Sequence, residues 1–123
     1  RATTDATATV LTTTNSALAS TNQIILPNNS AYAFTGTVVA HRQAAGGTES
    51  AAWKVEGLIR REANAGTTTL VASTVTAISN VPAWTLALTA DTTNGGLTVT
   101  ATGAAATNIR WVANIQTSEC TYA

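Results

Sequence analysis

The chain has 123 residues, of which 10% are charged, and its six basic and six acidic residues give a formal net charge of zero. This length is that of one domain with its own core, and the lack of a basic excess argues against a nucleic-acid partner or a membrane surface. The single cysteine, Cys120, excludes an intramolecular disulfide. No apolar run reaches the roughly 18 residues that span a bilayer, so no membrane insertion is expected.

Residues 1–21 have low complexity and consist largely of Thr, Ala and Ser. They predict a linker or an extended arm, with one short strand around Val10 and Leu11. The folded domain is then expected to cover residues 22–123. Because the polar lead-in starts without methionine, we expect a domain cut or processed out of a longer protein.

The next segments alternate between apolar and polar residues. A short apolar strand is predicted over residues 23–26, and a second strand is predicted over residues 31–42. The Pro-Asn-Asn segment between them predicts a turn, since Pro presets its own φ and Asn tolerates left-handed backbone. The segment AAWKVEGLIRREA, residues 51–63, contains good helix formers, so a helix is the alternative there. Its period-2 spacing favours a strand.

The second half of the chain continues in the same way. Residues 70–78 are rich in β-branched side chains and predict a strand. Two alternating segments, residues 84–91 and 97–103, flank Asn94-Gly95, a dipeptide typical of a type I′ hairpin turn. With the final strand over residues 108–119, about seven or eight strands predict an all-β antiparallel sandwich, jelly-roll-like, with an extended N-terminal arm.

Three tryptophans and one arginine are singled out by their place on these strands. Trp53, Trp84 and Trp111 fall in phase with aliphatic neighbours, so we predict that they pack in the core and do not serve as sugar platforms. Arg110 is next to Trp111 and therefore points to the opposite face. We predict that it forms an ion pair with Glu56, or as second choice with Glu119, and that subunit packing covers this pair. The predicted interface ion pair is thus Arg110 with one of two carboxylates, Glu56 or Glu119.

Residue types that carry catalysis are scarce. His41 is the only histidine, which excludes zinc triads and the His-Glu-x-x-His motif. Several carboxylates are adjacent to Lys or Arg, which favours solvated or interface ion pairs. Asp91 precedes a turn and is expected to accept hydrogen bonds from backbone amides, with calcium binding as the alternative. We therefore expect no catalytic residues, no cofactor and no metal site.

Three stretches resemble a β-rich domain found near the ends of tail-fibre, tailspike and other virion proteins of tailed bacteriophages. They are NQIILPNNSAYAFTGTVVAHR, AAWKVEGLIRREA and LTADTTNGGLTVTATGAAATNIRWVANIQTSE. The Trp-x-Val-x-Gly block, the Asn-Gly hairpin and the Ile-Arg-Trp-Val-Ala strand carry the resemblance across residues 22–122. Cys120 departs from it, because a small β-branched residue is usual at that point.

The resemblance implies the trimeric C-terminal knob of a phage tail fibre or tailspike, located in the virion, which aids attachment to the host surface. Its partners would be two copies of itself, other virion proteins and a host surface glycan or receptor. A monomeric carbohydrate-binding module and a capsid decoration or head-fibre protein are the alternatives. If the domain binds a receptor, we expect the contacts in the loops at residues 43–50 and 64–69 and not on the strands, because loops on a rigid sandwich carry variable function.

Overall fold

A computed structural model describes residues 1–43 and 47–122. These residues contain nine strands and one three-residue 3-10 turn, Ala65–Thr67, so they include no helix long enough to cross a membrane. The strands are β1 (Ala2–Thr3), β2 (Thr9–Val10), β3 (Ile24–Ile25), β4 (Ser30–Arg42), β5 (Ser50–Arg61), β6 (Thr69–Ser79), β7 (Thr85–Asp91), β8 (Gly96–Thr102) and β9 (Ile109–Thr121). The all-β prediction is confirmed, and the segment around Trp53 is a strand and not a helix.

The strands form two antiparallel sheets. The large sheet has the order β1-β9-β4-β5-β6. In the small sheet, β8 pairs with β7 and also with β2 and β3. Strands β4, β5 and β6 follow one another directly, and β9 returns to lie beside β4, which is a Greek key, the unit from which jelly rolls are built. The predicted antiparallel β-sandwich is therefore confirmed.

The core between the sheets is centred on the three tryptophans. Trp111 is 0% exposed and stacks on Trp53, with ring centroids 5.5 Å apart and planes 18° apart. Trp84 lies on the other side of this pair, 6.0 Å from Trp111 and tilted by 54°. Because a buried aromatic ring removes about 150–250 Å² of surface from water, this cluster contributes a large share of the hydrophobic stabilisation.

An inward-facing glycine allows β4, β5 and β6 to pack closely beside this core. Gly57 lies opposite Phe34 on β4 and Ser73 on β6. A Cβ atom at position 57 would overlap the carbonyl oxygen of Ala72 and would lie 2.7 Å from Phe34 Cζ. No larger residue therefore fits there without displacing the backbone or the phenyl ring.

The segment that the sequence predicted as a linker or arm contributes strands to both sheets. β1 pairs with the start of β9, with Ala2 opposite Arg110, and β2 pairs with β8. The short strand expected around Val10 is β2. Thr3 is 4% exposed, and its hydroxyl accepts the indole N–H of Trp111 at 2.9 Å. The start of the chain is therefore fastened to the centre of the core.

The predicted hairpin is present between β7 and β8, but its turn is not type I′. Residues 92–95 form the loop, and Gly95 is its only residue with a positive φ, 84°. A type I′ turn needs two. The Asp91 carboxylate accepts the backbone N–H groups of Thr93 at 2.9 Å and Asn94 at 3.2 Å. These bonds fix the first part of the loop, where no residue has a positive φ, and glycine alone takes the left-handed position.

Candidate binding surfaces

One face of the large sheet points away from the small sheet, and no described residue covers it. We call it the outer face. Its side chains lie level across β4, β5 and β9 in four rows: Ala33, Leu58 and Ser118; Thr35, Glu56 and Gln116; Thr37, Lys54 and Asn114; Val39, Ala52 and Val112. Val39 is 46% exposed and Val112 is 55% exposed. The outer face is thus a weakly polar surface with neighbouring valines open to water.

The middle rows of the outer face form a shallow depression of about 350 Å³. Its lining combines the exposed apolar side chain of Ile78 with hydroxyl, amide and ammonium groups, from Thr35, Thr37, Lys54, Asn114 and Gln116. In the part of the chain that the structure describes, the ion pairs are Arg42–Glu49 at 3.0 Å and Arg60–Glu62 at 3.7 Å. Lys54 belongs to neither pair, so its charge is available to another molecule.

The structure does not bring Arg110 next to Glu56 or Glu119 within one chain. Arg110 is level with His41 on β4, whereas Glu56 is level with Thr35, six residues away, or about 20 Å. Glu119 lies nine residues further along β9, or about 30 Å from Arg110. The ion pair is therefore wrong as an intrachain contact. Its formation between two chains stays a prediction.

A cleft of about 590 Å³ lies between the two sheets beside β9. Its lining is mixed: the apolar side chains include Leu11, Ile24, Leu97, Val99, Ala113 and Ile115, and the polar ones include Thr12, Thr13, Asn22, Gln23 and Asn114. Arg1 also lines the cleft. Its amino group donates to the carbonyl of Trp111 at 2.8 Å, and its carbonyl accepts the backbone N–H of Trp111 at 2.7 Å. Burial, and then the charge of Arg110, lower the pKa of the Arg1 amino group. The apolar part of this lining can receive apolar side chains of another molecule.

Sequence reasoning missed a contact between His41 and Ser50. The two residues are opposite one another on β4 and β5, with Nδ1 and Oγ 2.7 Å apart. A catalytic serine–histidine pair also needs a group that orients the imidazole. In the described residues, no hydrogen bond reaches the other imidazole nitrogen, and both side chains are exposed on strand ends. We interpret the contact as a cross-strand link at the end of the hairpin.

Asp91 is surrounded by hydrogen-bond donors. In addition to the two backbone N–H groups of the turn, it accepts the side-chain amides of Gln23 at 2.7 Å and Asn94 at 2.8 Å. Burial alone would raise the pKa of Asp91, but these hydrogen bonds outweigh it and lower the pKa below its ordinary value of 3.8. Within the described ranges, no group of three or more His, Cys, Asp or Glu side chains is placed to hold a metal ion. The carboxylate fixes the hairpin and ties it to the segment before β3.

The two loops predicted to contact a receptor lie at opposite ends of the sandwich. Residues 43–50 connect β4 to β5, and residues 64–69 connect β5 to β6, so the 12 residues of β5, about 40 Å, separate them. Residues 44–46 of the first loop lie outside the described residues. The second loop contains the 3-10 turn, and its Thr68 is 4% exposed. A receptor at one end of the domain therefore reaches only one of these loops.

Comparisons of the chain with protein-family models, with curated proteins and with solved structures gave no match. The resemblance to phage fibre domains thus stays a hypothesis about the sequence.

Proposed function

We propose that this domain is a virion structural module, the trimeric C-terminal knob of a phage tail fibre or tailspike, which helps attach the particle to a host surface. The observation that carries the proposal is the outer face of the large sheet. Val39 and Val112 are neighbours on it and are both about half exposed. Contiguous exposed apolar surface on a soluble domain marks an interaction site, and a second and third copy of the same chain supply a matching surface.

The electrostatics of the chain support association with itself. The formal net charge is zero, so copies do not repel one another at long range. The middle of the outer face carries one cation, Lys54, and one anion, Glu56, on the same strand. Copies packed through this face therefore bring charges of both signs together, which favours specific packing over like-charge repulsion.

Light scattering during gel filtration tests the assembly. We expect a mass three times the chain mass of 12.5 kDa. Replacing two adjacent valines, Val39→Asp with Val112→Asp, should give folded monomers because it buries two like charges in the interface. The matched control is Ala87→Asp on the exposed side of the small sheet, which should remain trimeric. Circular dichroism establishes that each variant is folded.

A single-chain mass for the unmodified protein at tens of micromolar would contradict the trimer and favour the monomeric carbohydrate-binding module. The attachment role has a separate test, in which fluorescently labelled domain is titrated onto bacterial cells and onto immobilised bacterial surface polysaccharides. We expect saturable binding to at least one of them. Absence of saturable binding to every cell and glycan would remove the adsorption role and leave only the structural one.

A further inference from the structure

We propose that the trimer is closed by strand pairing between β6 of one chain and β9 of the next. The strands β9, β4, β5 and β6 of three chains would then form one continuous antiparallel wall around the threefold axis, with the outer faces turned inward. This inference rests on the proposed trimer, and it names the edges that join its subunits.

The register within one chain shows that the two edges match in position. Through β5 and β4, Ser79 of β6 is level with Val112 of β9, and Thr69 is level with Cys120. β1 pairs with β9 at Ile109 and Arg110, and the backbone of Arg1 extends this pairing to Trp111. No described strand pairs with that edge from Val112 onward. The β6 strand of a neighbour therefore fits the stretch of β9 that β1 leaves open, and it ends close to where β1 begins.

The strand directions permit this junction. β6 is three strands away from β9 in the large sheet, and every pair between them is antiparallel, so β6 and β9 run in opposite directions. A rotation about an axis along the strands leaves each direction unchanged. β6 therefore meets β9 of the next chain antiparallel, and the heterologous contact closes into a ring.

Charge is distributed in a way that leaves both edges available for pairing. Sheets commonly protect their edge strands with charged residues. Here the 11 residues of β6 include no charged residue, and nine of them are exposed. The open part of β9 carries only Glu119. The charges lie instead on the interior strand β5, at Lys54, Glu56, Arg60 and Arg61.

The dimensions of a threefold prism fit the outer face. Four strands spaced about 4.8 Å apart make a side about 19 Å wide, and the axis of a triangular prism with this side lies about 5.5 Å from each sheet. Sheets pack face to face at about 10 Å, so this distance is close to half of the usual separation. The small outward residues of β4, Ala33, Thr35 and Thr37, suit such a narrow interior. Because rotation about this axis preserves height along the strands, Lys54 of one chain would lie within about 7 Å, along the strand direction, of Glu56 of the next. Arg110 would stay about 20 Å from every Glu56, so this junction excludes the Arg110–Glu56 pair between chains.

The cleft beside β9 gives independent support. On the inner side of the sheet, Val75 of β6 is level with Ile115 of β9, and Ala77 is level with Ala113. Ile115 and Ala113 line the cleft. A neighbouring β6 would thus place apolar side chains against this apolar lining and would cover a surface that one chain alone leaves wet.

Cysteine cross-linking tests the junction with the native thiol of Cys120, which is free and exposed. Level pairing places Thr69 of the neighbour beside it, and cross-strand Cα atoms about 4.5–5.5 Å apart lie within the range for a disulfide. A shift of the neighbour by two residues of β9, of the kind that barrel closure requires, would bring Ala72 there instead, because a bulge in β6 places Ala72 and not Val71 level with Ser118. We expect Thr69→Cys or Ala72→Cys to give covalent dimers and trimers on a non-reducing gel after mild oxidation.

Two control variants and the mass from light scattering distinguish the junction from the trimer itself. The same variants with Cys120→Ser should give no covalent trimer, and Thr93→Cys in the hairpin loop should give no ladder. A trimer by light scattering with no cross-link at either position overturns the junction and leaves the trimer standing, whereas a monomer overturns both. Covalent dimers from Thr74→Cys with Cys120→Ser would show instead that two β6 strands pair about a twofold axis.

Discussion

Replacement of Trp111 by alanine should destabilise the domain by about 5 kcal/mol, at the upper end of the range for buried aromatic residues. The side chain is 0% exposed and contacts two other tryptophan rings, and each aromatic pair adds roughly 0.5–1.5 kcal/mol to the burial term. The substitution also strands the buried hydroxyl of Thr3, which loses its hydrogen-bond donor. Since the free energy of unfolding of a small domain is about 5–15 kcal/mol, little stability would remain.

A double-mutant cycle separates the hydrogen bond from the packing. Trp111→Phe keeps an aromatic ring but removes the indole N–H, and Thr3→Val removes the acceptor from the other side. Each single change leaves one buried polar group without its partner, at a cost of about 1–3 kcal/mol. The double variant removes both groups, so it should cost less than the sum of the two single variants.

Urea unfolding followed by tryptophan fluorescence and circular dichroism, at one fixed protein concentration, measures these differences. Tyr122→Ala is the matched control, because that aromatic side chain is 83% exposed and its removal should change stability by less than about 0.5 kcal/mol. Strict additivity of the Thr3 and Trp111 changes would refute the hydrogen bond. A loss below about 2 kcal/mol for Trp111→Ala would refute the assignment of this ring to the core.

Three further predictions follow from the glycine, the turn carboxylate and the loops. Gly57→Ala should cost about 1–3 kcal/mol in urea unfolding, as overpacking does, whereas Gly66→Ala in the exposed 3-10 turn should cost less than about 1 kcal/mol; equal losses would contradict the close approach at β5. Because the folded-state pKa of Asp91 is lowered from 3.8, its carboxylate stabilises the fold above that pH, and the contribution is lost as pH falls through the folded-state pKa. Asp91→Asn should therefore lower the free energy of unfolding at pH 6. The variant should then lose less of this free energy than the unmodified protein between pH 5 and pH 2, and an equal loss in the two proteins would count against this. Gly-Ser replacement of residues 43–50 or of 64–69 should abolish cell binding in only one of the two variants, and loss in both with the fold intact would mean that two ends of the domain bind.

The sequence predicted the long strands well because their periodicity extends over many residues. The alternation around Trp53 and Trp111 indicated which side chains face the core, and β5 and β9 lie where that alternation predicts. Strands of two residues, such as β1, have no periodicity, and only the contact between Thr3 and Trp111 shows that the arm enters the core. The turn after Asp91 differed from the dipeptide preference because a carboxylate captured its amides.

Position across the sheets could not be predicted from local patterns. The sequence placed Arg110 and Glu56 on the same face, and the register shows this to be so. Their separation along the strands depends on which residues of β4 they oppose, and that information belongs to long-range pairing. The relative position of the two candidate loops could not be predicted for the same reason, since only the order of the hairpins shows that they lie at opposite ends.

Because β9 pairs with β4, this pairing is delayed while the chain is being synthesised on the ribosome. Ser30 of β4 pairs with Thr121 of β9, and 66 residues of chain separate the end of β4 from the start of β9. At about 5–20 residues per second, β4 waits roughly 3–13 s for this partner, while β5 and β6 have already emerged. During this time the strands β4, β5 and β6, with the uncharged edge of β6, are exposed to other nascent chains. Slower translation initiation or a chaperone that holds the chain should therefore raise the yield of folded protein.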